Sequence, residues 1–187
     1  MKMAVTVASS SLLLLAGCAT TPRAVEAPEA SFWSALQARC GKAFEGRMTI
    51  GTDPGDADFG KERMVMQVAS CKPDEIRIPF DVGANKTRTW VLTRTSTGVR
   101  LKHDHRHPDG KEDAVSQYGG DARAGGTATR QDFPADAFTA NLLPKAATNV
   151  WTIEVQPQLF AYELRREEQG RRFRVEFDLT KPVERAP

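Results

Sequence analysis

The sequence contains no block of like charge and no long apolar run. Its 26 Lys and Arg residues alternate with 24 Asp and Glu residues, so the formal net charge is only +2. Proteins that bind nucleic acid concentrate basic residues in one patch, so we predict no nucleic-acid partner. The apolar stretch at residues 4–15 is shorter than the roughly 20 residues with which a helix spans a bilayer.

Complete catalytic signatures are also absent. The sequence has no Gly-x-Ser-x-Gly nucleophile motif, and its glycine-rich segment 119–126 lacks the Gly-Lys-Ser/Thr of a phosphate loop. The acidic segment 53–58 lacks the spacing of an EF-hand, so we interpret it as a hairpin loop. These absences favour a function other than catalysis, and we predict no organic cofactor.

The start of the chain is typical of an export signal. Lys2 supplies a basic segment, residues 4–15 supply an apolar segment, and Leu-Ala-Gly-Cys at 15–18 supplies small residues for cleavage. This tetrapeptide resembles the lipobox of bacterial lipoproteins. The resemblance implies a signal peptide over residues 1–17, cleaved before Cys18.

Acylation of Cys18 would attach the protein to a membrane, and two or more acyl chains make such an anchor stable. Ala19 stands where an aspartate would indicate retention in the inner membrane. We therefore predict a cell-envelope lipoprotein held on the outer membrane and facing the periplasm. Residues 18–30 are polar and punctuated by proline, so they are interpreted as the lipidated cysteine with a flexible tether.

The remaining residues, 31–187, are predicted to form one domain that begins with a short helix. Ser31 can cap this helix, which would continue to residues 37–40. Its apolar side chains cluster at helical spacing; they are Phe32, Trp33 and Leu36. We expect the helix to pack against a sheet or to close one end of a barrel.

Cysteine usage points to one disulfide. With Cys18 acylated, Cys40 and Cys71 remain, and two cysteines in an oxidising compartment most simply pair. Neither lies in a Cys-x-x-Cys pair or beside a histidine, so a reactive thiol or a metal ligand is less favoured.

The rest of the chain alternates apolar and polar residues in short segments separated by turns, as residues 75–82 illustrate. We count eight to ten such segments and no βαβ rhythm. The predicted fold is all-β, an antiparallel meander closed or nearly closed into a barrel, with a two-sheet sandwich as the alternative. Residues 134–143 are predicted to form a short helix before Pro144, and the glycine-rich segment 119–126 a mobile connection at the barrel mouth.

All three histidines of the protein occupy alternate positions, at His103, His105 and His107. In a strand they share a face with Val99 and Leu101, which extends an apolar face toward the mouth of the barrel. Such imidazoles can be half-buried and still bind a ligand.

The position of the neighbouring residues depends on hairpin register. A two-residue Asp109-Gly110 turn would pair His107 with Glu112 and His103 with Ser116. On the other side, a two-residue turn at 97–98 pairs Trp90 with His105, whereas a three-residue loop at 96–98 pairs Thr89 with His105. The face of Trp90 stays open at this point.

Three functions are compatible with this pattern. In the first, a small apolar or amphipathic ligand binds in the barrel; the predicted ligand-binding residues are His103, His105, Trp90 and Tyr118. In the second, the protein binds zinc or copper; the predicted ligands are His103, His105, His107 and Glu112. Three alternate histidines span about 13 Å of strand, so one ion could take two of them but not all three without a bulge.

The third function is that of a structural or partner-docking envelope lipoprotein, whose protein partner the sequence does not identify. Of the three, we favour ligand binding.

Five segments resemble those of a family of uncharacterised bacterial secreted proteins and lipoproteins. They are Phe-Glu-Gly-Arg at 44–47, Asp-Glu-Ile-Arg-Ile-Pro-Phe at 74–80, Arg-Thr-Trp-Val-Leu-Thr-Arg at 88–94, Leu-Lys-His-Asp-His-Arg-His at 101–107 and Phe-Arg-Val-Glu-Phe-Asp-Leu at 173–179. The resemblance implies no function and no functional residue. In architecture alone the predicted fold is similar to calycin-type barrels, which hold apolar ligands.

Overall fold

Eleven β-strands and three α-helices are present in residues 27–186, the part of the chain that the computed structural model describes. The strands are β1 (Ala43–Gly51), β2 (Met64–Gln67), β3 (Ser70–Cys71), β4 (Glu75–Val82), β5 (Asn85–Thr95), β6 (Gly98–His105), β7 (Tyr118–Asp121), β8 (Arg130–Pro134), β9 (Val150–Val155), β10 (Leu159–Arg166) and β11 (Arg171–Val183). The helices are α1 (Pro28–Gln37), α2 (Asp56–Phe59) and α3 (Ala137–Leu142). The predicted signal peptide and Cys18 lie outside the described residues.

All strands join one antiparallel sheet that curls into a nearly closed barrel, which confirms the predicted fold class. The order is β7-β6-β5-β4-β2-β1-β11-β10-β9-β8, and the short β3 adds to β4. The first strand thus pairs with the last, with Met48 opposite Val175. Pro79 has no N–H to donate, and it lies on β4 between the residues that pair with β2 and those that pair with β3.

The two ends of this strand order, β7 and β8, approach each other along what we call the seam. The backbone N–H of Arg123 donates to the carbonyl of Asp132 over 2.8 Å, and that of Asp136 donates to the carbonyl of Gly119 over 2.9 Å. These two bonds lie at opposite ends of the seam. They hold the two edges of the sheet together.

The seam corrects the interpretation of segment 119–126 as a mobile connection. Gly119 and Gly120 belong to β7 and are buried. A Cβ atom at Gly120 would overlap the carbonyl oxygen of Pro134 on β8. The glycines therefore allow close approach of two backbones, which is a packing role.

Aromatic side chains fill the middle of the barrel. The indole of Trp90 stacks between Phe80, at 4.6 Å between ring centroids, and Tyr162, at 4.5 Å. Phe160 and Phe177 pack against the same indole at 5.9 and 6.4 Å. These side chains belong to the buried core, so the middle of the barrel is packed with aromatic rings.

Helix α1 covers one end of the barrel, as predicted. Phe32, Trp33 and Leu36 are fully buried, and the guanidinium of Arg94 lies 5.0 Å from the Trp33 ring centroid. The helix begins at Pro28 rather than after a Ser31 cap, so the predicted tether is shorter by three residues. Proline suits the first helical turn because its missing N–H has no helical partner there.

A disulfide links Cys40 to Cys71 with the Cα atoms 6.1 Å apart, which confirms the predicted pair. It ties the segment after α1 to β3. The late helix is also confirmed in the narrower range of α3, where the carboxylate of Asp136 accepts a hydrogen bond from the N–H of Thr139 over 2.8 Å.

The acidic segment 53–58 differs from the predicted hairpin loop. It leads into the single turn of α2, and Asp56 is 7% exposed. The guanidinium of Arg171 makes an ion pair with the Asp56 carboxylate, one contact being 2.8 Å. This buried pair fixes α2 against β11 and places Phe59 over the open end of the barrel.

Candidate functional site

The register of β5 against β6 determines which side chains meet at the open end. Thr95 lies opposite Gly98, so the loop consists of Ser96 and Thr97, and Trp90 lies opposite His103. Both turns considered from the sequence are therefore wrong. Gly98, with φ of 142°, begins β6 instead of completing the turn. As directly opposed residues, Trp90 and His103 face the interior together.

His103 and His105 lie on β6 and His107 follows its end, so the three histidines lead from the core to the surface. Val99 and Leu101 are buried, and His103 is 3% exposed. His105 is half-buried, and the side chain of His107 is 52% exposed.

The imidazole of His103 has both ring nitrogens satisfied. Nδ1 lies 3.0 Å from the carbonyl oxygen of Tyr118, which can only accept, so Nδ1 carries the proton. Nε2 therefore accepts a hydrogen bond from the Tyr162 hydroxyl over 2.8 Å. Burial lowers the pKa of His103 to about 3 and raises the pKa of Tyr162 well above its ordinary value. The pair is neutral at physiological pH.

Tyr118 joins the two inner histidines. Its ring stacks on His103 with centroids 4.4 Å apart, and its hydroxyl lies 3.1 Å from Nε2 of His105. Burial raises the pKa of Tyr118 to about 12. Burial first, and then the positive charge of Arg88, lower the pKa of His105. The imidazole-phenol cluster is thus an uncharged wall.

The segment after β6 does not follow the predicted hairpin. The residue opposite Glu112 is Arg106, with which it forms an ion pair at 3.2 Å, and not His107. The residue opposite His103 is Tyr118, and not Ser116. Between the Arg106–Glu112 bridge and the His103–Tyr118 pair the return segment contains three extra residues, and Gln117, with φ of 59°, adopts the left-handed conformation at the end of this bulge.

The predicted zinc or copper ligands are not brought together. Both nitrogens of His103 are engaged, His107 lies beside Asp113 at 3.9 Å, and Glu112 is paired with Arg106. Within residues 27–186 no three His, Cys, Asp or Glu side chains are arranged to hold a metal ion. The geometry of these residues gives the metal prediction no support.

A pocket of about 260 Å³ opens at the end of the barrel opposite α1, and all four predicted ligand-binding residues line it. They are Trp90, His103, His105 and Tyr118. Sequence reasoning missed the others that shape it, chiefly Phe59, Phe80, Arg88, Tyr162 and Phe173.

One of the missed residues, Arg88, could have been identified from the sequence pattern. Arg88 precedes Trp90 by two positions on β5, so both point to the same face of the strand. An arginine at an inward position is unusual, since charged side chains are rarely buried without a partner. The aromatic residues from α2 and β11 had no such signal, because their approach depends on how the barrel closes.

The buried His103 makes stability depend on pH. Its pKa is near 6.5 in an unfolded chain and about 3 in the folded protein. Its stabilising contribution is therefore complete above pH 6.5 and is lost as the pH falls toward 3. We expect His103 alone to lower the free energy of unfolding by about 2 kcal/mol at pH 5 relative to pH 7, measured by urea denaturation.

The matched variants for this prediction are His103→Gln and His107→Gln. The first should reduce the difference between pH 7 and pH 5 by about 2 kcal/mol, whereas the second, at an exposed position, should leave it unchanged. An equal pH dependence in wild type and His103→Gln would contradict the buried neutral imidazole.

Comparison of the chain with protein-family models, with curated proteins and with solved structures finds no match. The resemblance to bacterial secreted proteins and lipoproteins therefore stays a prediction. Residues 27–186 include no helix that is long and apolar enough to cross a membrane.

Proposed function

We propose that this protein binds a small apolar or amphipathic ligand at the open end of its barrel. The pocket of about 260 Å³ carries this proposal. Its floor is the stacked pair of Trp90 and Tyr162, and its side is the neutral cluster of His103 and Tyr118. A concave aromatic surface with a few fixed polar groups is the usual form of a small-molecule site.

The size of the pocket limits the ligand. Sites for drug-sized molecules have volumes of about 300–1,000 Å³, and this pocket, at about 260 Å³, lies below that range. The aromatic column below Trp90 leaves no continuation into the barrel. The ligand is therefore a small molecule, or a larger one that inserts only one end.

We further propose that the domain acts at a membrane surface in the cell envelope. The export signal and the lipobox support an anchor at Cys18, with the outer membrane facing the periplasm as the location. A tether between Cys18 and Pro28 would then hold the pocket close to the lipid surface.

Native mass spectrometry of protein purified from its native host tests the proposal. We expect a co-purifying small molecule that is displaced when Leu164, a residue of the pocket wall, is replaced with tryptophan. The matched control is Leu179→Trp, because Leu179 packs against the core but does not line the pocket. This control should retain the adduct.

Two results would overturn the proposal. One is the repeated absence of any bound molecule from wild-type protein. The other is an adduct that persists in Leu164→Trp, because the molecule would then be bound elsewhere.

A further inference from the structure

We infer that the ligand is a small amphipathic monocarboxylate whose carboxylate binds Arg88. The inference rests on the proposed function, since it names the chemistry of the molecule that enters the same pocket. It is carried by an unpartnered guanidinium on an otherwise aromatic wall.

Arg88 has no acceptor for its buried nitrogen. Its Nη1 is buried without a hydrogen-bond partner, and the side chain makes no ion pair with any residue from 27 to 186. Its guanidinium carbon lies 5.5 Å from the centroid of the Phe59 ring. A buried guanidinium donor without an acceptor is energetically costly, so an acceptor from outside the chain would stabilise it.

The other partly buried arginines show that this chain ordinarily supplies such partners. Arg174 binds Glu154 over 3.0 Å and Glu176 over 2.7 Å. Arg165 pairs with Asp132, and Arg171 pairs with Asp56. Arg88 differs from these in facing the pocket, where a ligand can provide the missing carboxylate.

The charge balance of the pocket indicates a single negative charge. Asp56 and Arg171 line the rim and neutralise each other. His103 and His105 are neutral, because burial lowers both pKa values. Arg88 is thus the one unbalanced charge of the lining. Its planar guanidinium matches a carboxylate, which it can bind through two parallel hydrogen bonds.

The apolar lining of the pocket indicates that the remainder of the ligand is apolar. The walls that flank Arg88 are the rings of Phe59, Phe80, Trp90 and Phe173. Phe59 packs edge-on against Phe173 at 5.2 Å, so α2 and β11 present one continuous apolar surface. A short hydrocarbon or aromatic group would bury its surface there while its carboxylate reaches Arg88.

The experiment compares octanoate with octanol, which share a chain and differ in charge, by isothermal titration calorimetry of the purified full-length protein at pH 7.5. Wild-type protein should bind both and should prefer octanoate. Arg88→Gln should weaken octanoate binding about 10- to 100-fold and change octanol binding by less than about 2-fold. Arg47→Gln, which removes the same charge from the exposed part of β1, should bind both probes as wild type does.

The outcomes separate this inference from the proposed function. If wild-type protein binds neither probe and retains nothing from its host, the proposed function fails. If octanol binds but octanoate is not preferred, or if Arg88→Gln binds octanoate as tightly as wild type, the carboxylate assignment fails and the apolar pocket remains. A circular dichroism spectrum of Arg88→Gln identical to that of wild type ensures that the loss is local.

Discussion

Replacement of Trp90 with alanine is expected to lower the free energy of unfolding by about 3–5 kcal/mol. The indole is 2% exposed and lies between Phe80 and Tyr162 in the aromatic column. Removing it takes away a large buried surface and leaves a cavity that stacked rings fill only in part. Urea denaturation followed by circular dichroism measures the change.

Two further variants serve as references for the stability loss of Trp90→Ala. Trp90→Phe keeps a ring in the stack, so its loss should be smaller than that of Trp90→Ala. Phe138→Ala, at a position that is 51% exposed, should change stability by less than about 0.5 kcal/mol. A loss in Trp90→Ala as small as that in Phe138→Ala would show that the column does not support the barrel.

Removal of the disulfide should lower the free energy of unfolding by nearly as much as Trp90→Ala does. The cross-link between Cys40 and Cys71 has a sequence separation of 31 residues, and closing a loop of that length stabilises a protein by about 3–4 kcal/mol in the chain-entropy model. We expect the double variant Cys40→Ser, Cys71→Ser to unfold at correspondingly lower urea concentration. Cys18→Ser is introduced throughout, so that one pair of thiols is studied.

The reductant dithiothreitol provides the control for this second prediction. It should shift the unfolding midpoint of the disulfide-bonded protein and leave that of the double serine variant unchanged. Hydrogen exchange in Pro28–Gln37 should also accelerate without the cross-link, because the disulfide ties the end of α1 to β3. A midpoint that is the same with and without the disulfide would contradict this role.

The all-β fold could be predicted because alternation is a local property. In β4 the apolar residues Ile76, Ile78 and Phe80 are buried, as their spacing indicates. The disulfide followed from elimination, since two cysteines remained after Cys18. Neither inference requires knowledge of which strands are neighbours.

Register was less accessible, and two of the errors share one cause. Trp90 lies opposite His103 where a two-residue turn predicted His105, and His103 lies opposite Tyr118 where the prediction was Ser116. Each of these slips is by two residues. A two-residue slip keeps every side chain on its face, so the hydrophobic pattern cannot detect it. The histidines were therefore placed on the correct face beside the wrong neighbours.

The seam between β7 and β8 could be recognised only from the tertiary structure. Nothing in the local sequence of Gly119 and Gly120 distinguishes a tight backbone approach from a mobile loop, because glycine serves both. The same holds for the unpaired state of Arg88. A missing acceptor can be recognised only when all the elements around the guanidinium are known.

The pairing of β1 with β11 also imposes an order on folding. Hairpins such as β5–β6 and β10–β11 join residues that are close in sequence, so they close short loops at small entropic cost. The β1–β11 ladder joins the two ends of the domain and cannot form until the last strand has been synthesised. Until then one edge of β1 stays unpaired and open to other chains. The chain is thus open to aggregation through this edge until the β1–β11 ladder joins the two halves of the sheet.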